Sequence, residues 1–172
     1  MPILEILELA YIDSHNIWDD KLPVHFYSQN LTILTVRCCH HLISLFPSSV
    51  ARALFKLQHL DIFICHELVE IFIQQKECPD GNEGDAQDEI VFMKLEELNL
   101  RGLSRLRRFC KESYNFKFPV LQTVSVIQYN VYQVNTFCRG NLIRPSLSKV
   151  QYSWGDREED RWDGDLNTTL ER

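Results

Sequence analysis

The apolar residues of the chain follow one spacing that recurs along most of its length. Its clearest form, at residues 57–65, reads Leu-x-x-Leu-x-Ile-x-x-Cys. The central part alternates apolar and polar positions, which is the pattern of a strand that buries one face. The same spacing begins at Leu4, Leu31, Leu57, Leu95, Leu121 and Leu147. The pattern therefore predicts a repeat array.

The distances between these starts indicate the kind of repeat. They are 27, 26, 38, 26 and 26 residues, and four of the five fall in the range of leucine-rich repeats. We predict one leucine-rich-repeat domain over residues 1–172, an α/β solenoid of about six irregular coils. A parallel β-sheet should line its concave side, with loops and short helices on the convex side. A serine pair that should cap the N-terminus, followed by helical spacing, predicts such a helix within residues 48–57.

Two segments and the start of the chain depart from the repeat. Residues 76–89 carry six acids and one lysine, so we predict an acidic insertion loop there. Residues 155–172 form a polar C-terminal tail that either caps the last coil or hangs free. The first repeat begins only three residues into the chain, which leaves no room for a polar cap. We therefore expect the chain to be a fragment of a longer protein.

Stacked coils should place equivalent residues in columns. At the turn after each strand, one buried column is predicted to contain Ile12, Cys39, Cys65, Leu103 and Tyr129. Phenylalanines just before three strands predict an aromatic layer of Phe26, Phe92 and Phe118. Both sets are expected to build the core.

The residues between the inward leucines should point outward on the concave face. We predict a protein-binding surface there, formed by Ile33, Thr35, Arg37, His59, Asp61, Phe63, Glu97, Asn99, Arg101, Thr123, Ser125, Ile127, Lys149 and Gln151. Three of these are apolar and several neighbours are charged, so the surface should have an apolar centre and a charged rim. The alternative is that single exposed apolar residues carry no meaning.

One constellation suggests metal or thiol chemistry. Stacking should place Cys39 beside Cys65 and His40 beside His66, and such groups can bind zinc. However, both cysteines fall in the buried turn column, where other coils have residues that cannot bind a metal. We therefore interpret them as packing residues and predict no metal site and no catalytic residue.

Composition excludes several classes of function. The net charge of −6 disfavours nucleic acid and anionic membrane as partners, and no apolar run is long enough to span a bilayer. No phosphate-binding loop, nucleophile elbow or metalloprotease motif occurs, so we predict that the chain is not an enzyme and binds no cofactor. The six cysteines form no C-x-x-C pair and no signal peptide is recognisable, which indicates a cytoplasmic protein.

Charge is also clustered along the chain. A basic strip, defined as Arg101, Arg105, Arg107, Arg108 and Lys111, lies between the acidic insertion and the acidic tail. It either pairs with those acids or docks an acidic partner.

Longer phrases in the sequence resemble one protein family. Residues 26–34 and 38–46, the stretch from Ser48 to Leu60, and residues 91–98 are similar to the C-terminal leucine-rich repeats of plant coiled-coil nucleotide-binding disease-resistance proteins. Residues 114–119 and 150–156 extend the resemblance over almost the whole chain. Repeat five departs from the family pattern at residues 127–133 and is expected to be irregular.

The resemblance implies a segment of an intracellular immune receptor. Its partners would be a pathogen effector or a guarded host protein, and the nucleotide-binding module of the same receptor. ATP or ADP would bind only in the nucleotide-binding region, whose motifs are not in this chain. Two alternatives remain open, which are a generic leucine-rich-repeat scaffold outside immunity and a Cys/His metal- or thiol-dependent hydrolase.

Overall fold

The computed structural model describes residues 3–18, 28–73, 89–110, 115–128, 149–154 and 157–160. In chain order its elements are β1 (Ile6–Ala10), β2 (Ile33–Arg37), β3 (Ser44–Pro47), α1 (Ser48–Ala53), β4 (His59–Phe63), β5 (Glu70–Ile73), β6 (Glu89–Val91), β7 (Glu97–Arg101), β8 (Arg108–Cys110), β9 (Asn115–Lys117), β10 (Thr123–Gln128), β11 (Lys149–Trp154) and β12 (Arg157–Asp160). No helix in these ranges is long and apolar enough to cross a membrane.

The principal sheet is a parallel stack of the strands that the repeat pattern predicts. Its order is β1-β2-β4-β7-β10-β11-β12, and every pair up to β11 is parallel. The register is constant, because the first residue of each strand faces the first residue of the next, as His59 faces Glu97. The chain is therefore a parallel-sheet solenoid, as the sequence predicts.

Alternation along each strand separates the core from the surface. In β4, Leu60 and Ile62 are fully buried, whereas His59, Asp61 and Phe63 between them are half-buried. The corresponding inward residues of β2, β7 and β10 are also buried, since side chains of a strand alternate between its two faces. In β1, Leu7 and Leu9 are only partly buried, because β1 forms the edge of the sheet within the described ranges.

A repeated backbone turn ends these strands. Tyr11, Cys38, Ile64 and Gly102 follow β1, β2, β4 and β7, and all four have a positive φ of 53–63°. The N–H of each donates to the carbonyl of the last or next-to-last residue of the neighbouring strand, as Ile64 does to Arg101 at 2.8 Å. An isoleucine in this left-handed conformation costs about 1–2 kcal/mol relative to an unstrained backbone. The turn thus stores strain at an exposed rim.

The convex side of the solenoid, opposite the principal sheet and called the return side below, differs from the prediction. It carries two further parallel sheets, β3-β5-β8 and β6-β9, rather than mostly loops and helices. The helix α1 ends at Ala53 because Leu54 leaves the helical conformation. Position Pro47 caps α1 without a side-chain hydrogen bond, so the predicted serine cap is wrong. The α/β class and the count of about six coils stay predictions.

Phenylalanine rings fill the space between the sheets. Phe92 and Phe118 stack with their centroids 5.4 Å apart, as the predicted aromatic layer requires, whereas Phe26 lies outside the described residues. Phe72 lies at the centre of a larger cluster, with four further rings within 5.6 Å of it. This phenylalanine core joins the return strands to the rest of the coil.

The insertion and the tail are only partly described. Residues 76–88 of the predicted acidic loop lie outside the described ranges, but Glu89, its last residue, begins β6. In the tail, β12 pairs antiparallel with β11. Only two residues separate these strands, and a connection that short joins antiparallel strands, since a parallel pair needs a long crossover. The tail thus contributes a strand to the principal sheet.

Candidate protein-binding face

The constant register arranges alternate residues of the principal sheet in three columns. The first column contains Ile6, Ile33, His59, Glu97, Thr123 and Lys149; the second Glu8, Thr35, Asp61, Asn99, Ser125 and Gln151; the third Ala10, Arg37, Phe63, Arg101, Ile127 and Ser153. All 14 residues predicted to bind a protein fall in these columns. Their arrangement is therefore as expected, and their binding role stays a prediction.

Neighbouring strands are connected across this face by polar contacts. The side-chain amide of Asn99 donates to Asp61 at 2.6 Å, and Nδ1 of His59 lies 3.4 Å from Glu97. These pairs are directly opposite each other in the sheet, which is the arrangement in which cross-strand side chains interact most. The contacts hold the middle of the face in one conformation.

The third column combines an aromatic ring with two cations. Phe63 lies between Arg37 and Arg101 in the register, and the Arg101 guanidinium carbon is 5.6 Å from the ring centroid. Arg37 extends diagonally to Glu8, 2.5 Å from its carboxylate. Aromatic and arginine side chains are the types that dominate protein interfaces. This column is the most interface-like part of the face.

The apolar centre has a different shape from the one predicted. Ile33 belongs to the first column, whereas Phe63 and Ile127 belong to the third and are separated by Arg101. The register fixes these separations, since residues of different columns cannot be brought together without a slip of the sheet. The surface is therefore a mosaic of apolar and charged positions rather than one apolar patch.

Ser125 contributes little surface to this face. Its side chain points outward in the second column, yet the residue is only 2% exposed. Its hydroxyl has no hydrogen-bond partner within the described residues. A small side chain between longer neighbours is covered by them, so a partner would reach Ser125 only after those neighbours moved.

The cysteine and histidine constellation assembles as predicted, with its two cysteines in the core and its two histidines exposed. Cys39 and Cys65 are fully buried, and the Sγ of each lies 3.4 Å from a backbone carbonyl of its own turn. The rings of His40 and His66 stack 5.0 Å apart. No group of three or more histidine, cysteine or acidic residues in the described ranges is arranged to hold a metal ion.

Burial also disfavours thiolate chemistry at Cys65. It raises the pKa of the Cys65 thiol from 9.0 to about 12, whereas a nucleophilic cysteine needs a lowered pKa. Because the unfolded thiol ionises first, the stabilisation that this group provides is complete below about pH 9 and is lost between pH 9 and 12.

We expect Cys65 to resist alkylation in the native protein. At about pH 8.5, near the ordinary pKa of a free thiol, iodoacetamide should modify Cys65 only after denaturation, as peptide mapping would reveal. Cys38, which is partly exposed, provides the internal comparison. Equal modification of Cys38 and Cys65 in native protein would contradict the burial.

Sequence reasoning placed His40 beside His66 but missed that His15 and His41 join them in one cluster beyond the ends of the strands. His15, His40, His41 and His66, together with Ile43 and Glu67, line a surface cleft of about 370 Å³. A signal was present, because His40 and His66 are separated by one repeat length, as are His15 and His41. Only the structure brings the two pairs to one place.

The predicted basic strip is divided between surfaces. Arg101 lies on the concave face, whereas Arg105 and Arg107 are exposed beyond the turn. Arg105 forms an ion pair with Glu67 of the neighbouring coil, so its partner is neither the insertion nor the tail. The Arg108 side chain and Lys111 lie outside the described residues.

Comparison with known proteins identifies the family. Residues 3–134 match the family of plant disease resistance protein RPS2-like leucine-rich repeats. The match includes the first five predicted repeat starts and all described strands up to β10. Searches of curated proteins and of solved structures gave no match. Since the matched region covers most of the 172 residues, the chain belongs to the leucine-rich repeats of RPS2-like plant disease resistance proteins.

Proposed function

We propose that this chain is the non-catalytic protein-recognition region of a cytoplasmic plant immune receptor. It binds a pathogen effector, or a host protein that an effector has modified, on the concave face of its sheet. The observation that supports this most is the third column, where half-buried Phe63 lies between Arg37 and Arg101. Membership of a disease-resistance family gives the binding face its biological setting.

The remaining columns supply specificity in this proposal. Thr35, Asp61 and Asn99 offer polar groups in the second column, and the contact between Asp61 and Asn99 fixes two of them before a partner arrives. A surface whose side chains are already positioned loses less conformational entropy on binding. An effector with complementary hydrogen-bonding groups would therefore be preferred over one of similar shape without them.

A resting receptor also needs its recognition region restrained. We infer that this chain contacts the nucleotide-binding module of the full-length receptor and helps to hold it inactive. ATP or ADP binds in that module, and this chain supplies no nucleotide ligand. Binding of the effector and binding of the module would then compete for overlapping surface, so that recognition releases the module.

Photo-crosslinking in the full-length receptor tests the proposal. A benzophenone amino acid replaces Thr35 in the second column, and a matched receptor carries it at Met93, which is 55% exposed on the return side. We expect the Thr35 probe to capture a pathogen protein, or a host protein modified during infection, in infected leaves only. The Met93 probe should not capture that protein.

The same experiment separates immunity from a general scaffold role. A scaffold would crosslink through Thr35 to the same assembly subunits in healthy and infected leaves. That result, or equal capture by the two probes, would contradict the proposed function.

A further inference from the structure

The cleft beyond the strand ends gathers four of the six histidines of the chain. His40 and His66 occupy equivalent positions in the turns after β2 and β4, and their rings are nearly parallel at an angle of 7°. The Nδ1–H of His15, from the turn after β1, donates to the His41 carbonyl oxygen at 2.8 Å. All four imidazoles are exposed to solvent.

Few other charges face this cleft from the described turns. Oδ1 of Asp13 lies 3.5 Å from Nε2 of His41, and Glu67 is paired with Arg105 of the next coil. The Ser104 hydroxyl lies 3.4 Å from Nδ1 of His66. The two carboxylates therefore outnumber the one guanidinium when the imidazoles are neutral.

Protonation reverses this local balance. Histidine is the side chain whose charge depends on pH near neutrality. Protonation of all four imidazoles would add four positive charges to the cleft. Five cationic groups then face two carboxylates, on a chain whose formal net charge is −6 at pH 7. Paired like charges on stacked His40 and His66 repel each other, and an anion placed beside them relieves that repulsion.

We propose that this histidine cleft binds an acidic peptide segment of a partner protein, and that the affinity rises as the pH falls. The surface lies past the strand ends, so the proposal does not depend on binding at the concave columns. Carboxylate side chains match the cationic imidazoles as hydrogen-bond acceptors. The cleft would give the chain a second binding surface, and the affinity of that surface for the acidic segment would depend on cellular pH.

Other ligands fit the cleft less well. The nearly parallel rings of His40 and His66 direct their nitrogens along separate planes, which does not suit one shared metal ion. An extended nucleic acid would encounter the acidic remainder of the chain, and binding of a polyanion requires neutralisation along its length. A short acidic segment needs only the local charge.

Fluorescence anisotropy of a labelled peptide of about ten glutamates provides the test, since such a peptide stays ionised above pH 5. We expect the purified chain to bind it about tenfold more tightly at about pH 6 than at about pH 8, which corresponds to about 1.4 kcal/mol. The lower pH stays above the sequence pI of about 5.5, which limits precipitation.

Histidine variants test whether the pH-dependent gain in peptide affinity arises in the cleft. His40→Gln with His66→Gln should reduce the pH-dependent gain to less than about twofold, and each single variant should give an intermediate gain if charges act additively. Lys94→Gln is the control, because Lys94 is exposed beside Met93 on the return side and does not line the cleft. It removes one cation from the chain without touching the cleft and should retain the full gain. Circular dichroism at both pH values verifies that each variant is folded, and the single variants preserve the test if the double variant is not.

Three results would overturn the proposal. They are a wild-type affinity that does not change with pH, an undiminished gain in the folded double variant or in both folded single variants, and equally tight binding of a ten-nucleotide oligothymidylate. The last result would assign the cleft to polyanions in general. A failure of concave crosslinking would leave this outcome unaffected, so the two proposals fail separately.

Discussion

Replacing Phe72 with alanine is expected to lower the free energy of unfolding by about 3–5 kcal/mol. The Phe72 ring is 1% exposed and contacts Phe46, Phe92, Phe109 and Phe116, with centroid distances of 4.8–5.6 Å. Truncation removes the apolar burial and leaves a cavity that rigid neighbouring rings cannot close. Urea unfolding followed by circular dichroism measures the loss.

Phe55 provides the matched control for this substitution. It is 42% exposed on the segment between α1 and β4, so Phe55→Ala should cost less than about 1 kcal/mol. If Phe72→Ala prevents folding, Phe72→Leu retains more volume and should cost about 1–1.5 kcal/mol. Equal losses at positions 55 and 72 would show that the phenylalanine core does not hold the solenoid together.

The second large effect concerns binding rather than stability. Phe63→Glu is expected to weaken the partner complex by about 2 kcal/mol or more, roughly 30-fold, because aromatic interface residues carry a large share of binding energy. The fold should persist, since Phe63 points away from the core and the new carboxylate would lie between Arg37 and Arg101. The change in unfolding free energy should remain within about 1 kcal/mol.

Crosslinking through Thr35 and urea unfolding measure these two outcomes on the same variant. Phe55→Glu makes the same chemical change on the return side and should leave partner capture intact. Unfolding of Phe63→Glu would mean that Phe63 is a core residue and that the outward register is wrong. Normal capture by a folded Phe63→Glu variant would place the binding energy elsewhere.

The sequence predicts the principal sheet well because each strand contains its own signal. Leu60 and Ile62 alternate with His59, Asp61 and Phe63, and that two-residue period determines which side chains are buried. The repeat length then brings equivalent residues into one column. The two-residue period lies within each strand, and the columns follow from counting repeat lengths. Residue spacing alone is therefore sufficient to derive both.

The return strands could not be predicted in the same way. β6, β8 and β9 have three residues each, too few for an alternating pattern to be distinguished from chance. They form because adjacent coils place similar segments side by side, and the pairing energy comes from the neighbour. The serine cap failed for a related reason, since Ser48 is buried inside α1 rather than preceding it.

The candidate site, like the fold, could be predicted from the sequence only in part. Columns can be counted from the sequence, but the burial of Ser125 and the separation of Phe63 from Ile127 by Arg101 depend on neighbouring side chains. The histidine cleft depends in addition on turn geometry, since His15 reaches the His41 carbonyl only through the folded turn. Side-chain contacts between coils lie beyond what residue spacing specifies.

The constant register has a consequence for how such a surface diversifies. His59 faces Glu97 although 38 residues separate them, whereas Ile33 faces His59 across only 26. Added length between two strands therefore leaves the register position of each strand residue unchanged. A single substitution on this face changes one side chain in one column, while an insertion between two strands leaves the columns unchanged. The binding specificity of the face can therefore change by single substitutions while the fold stays the same.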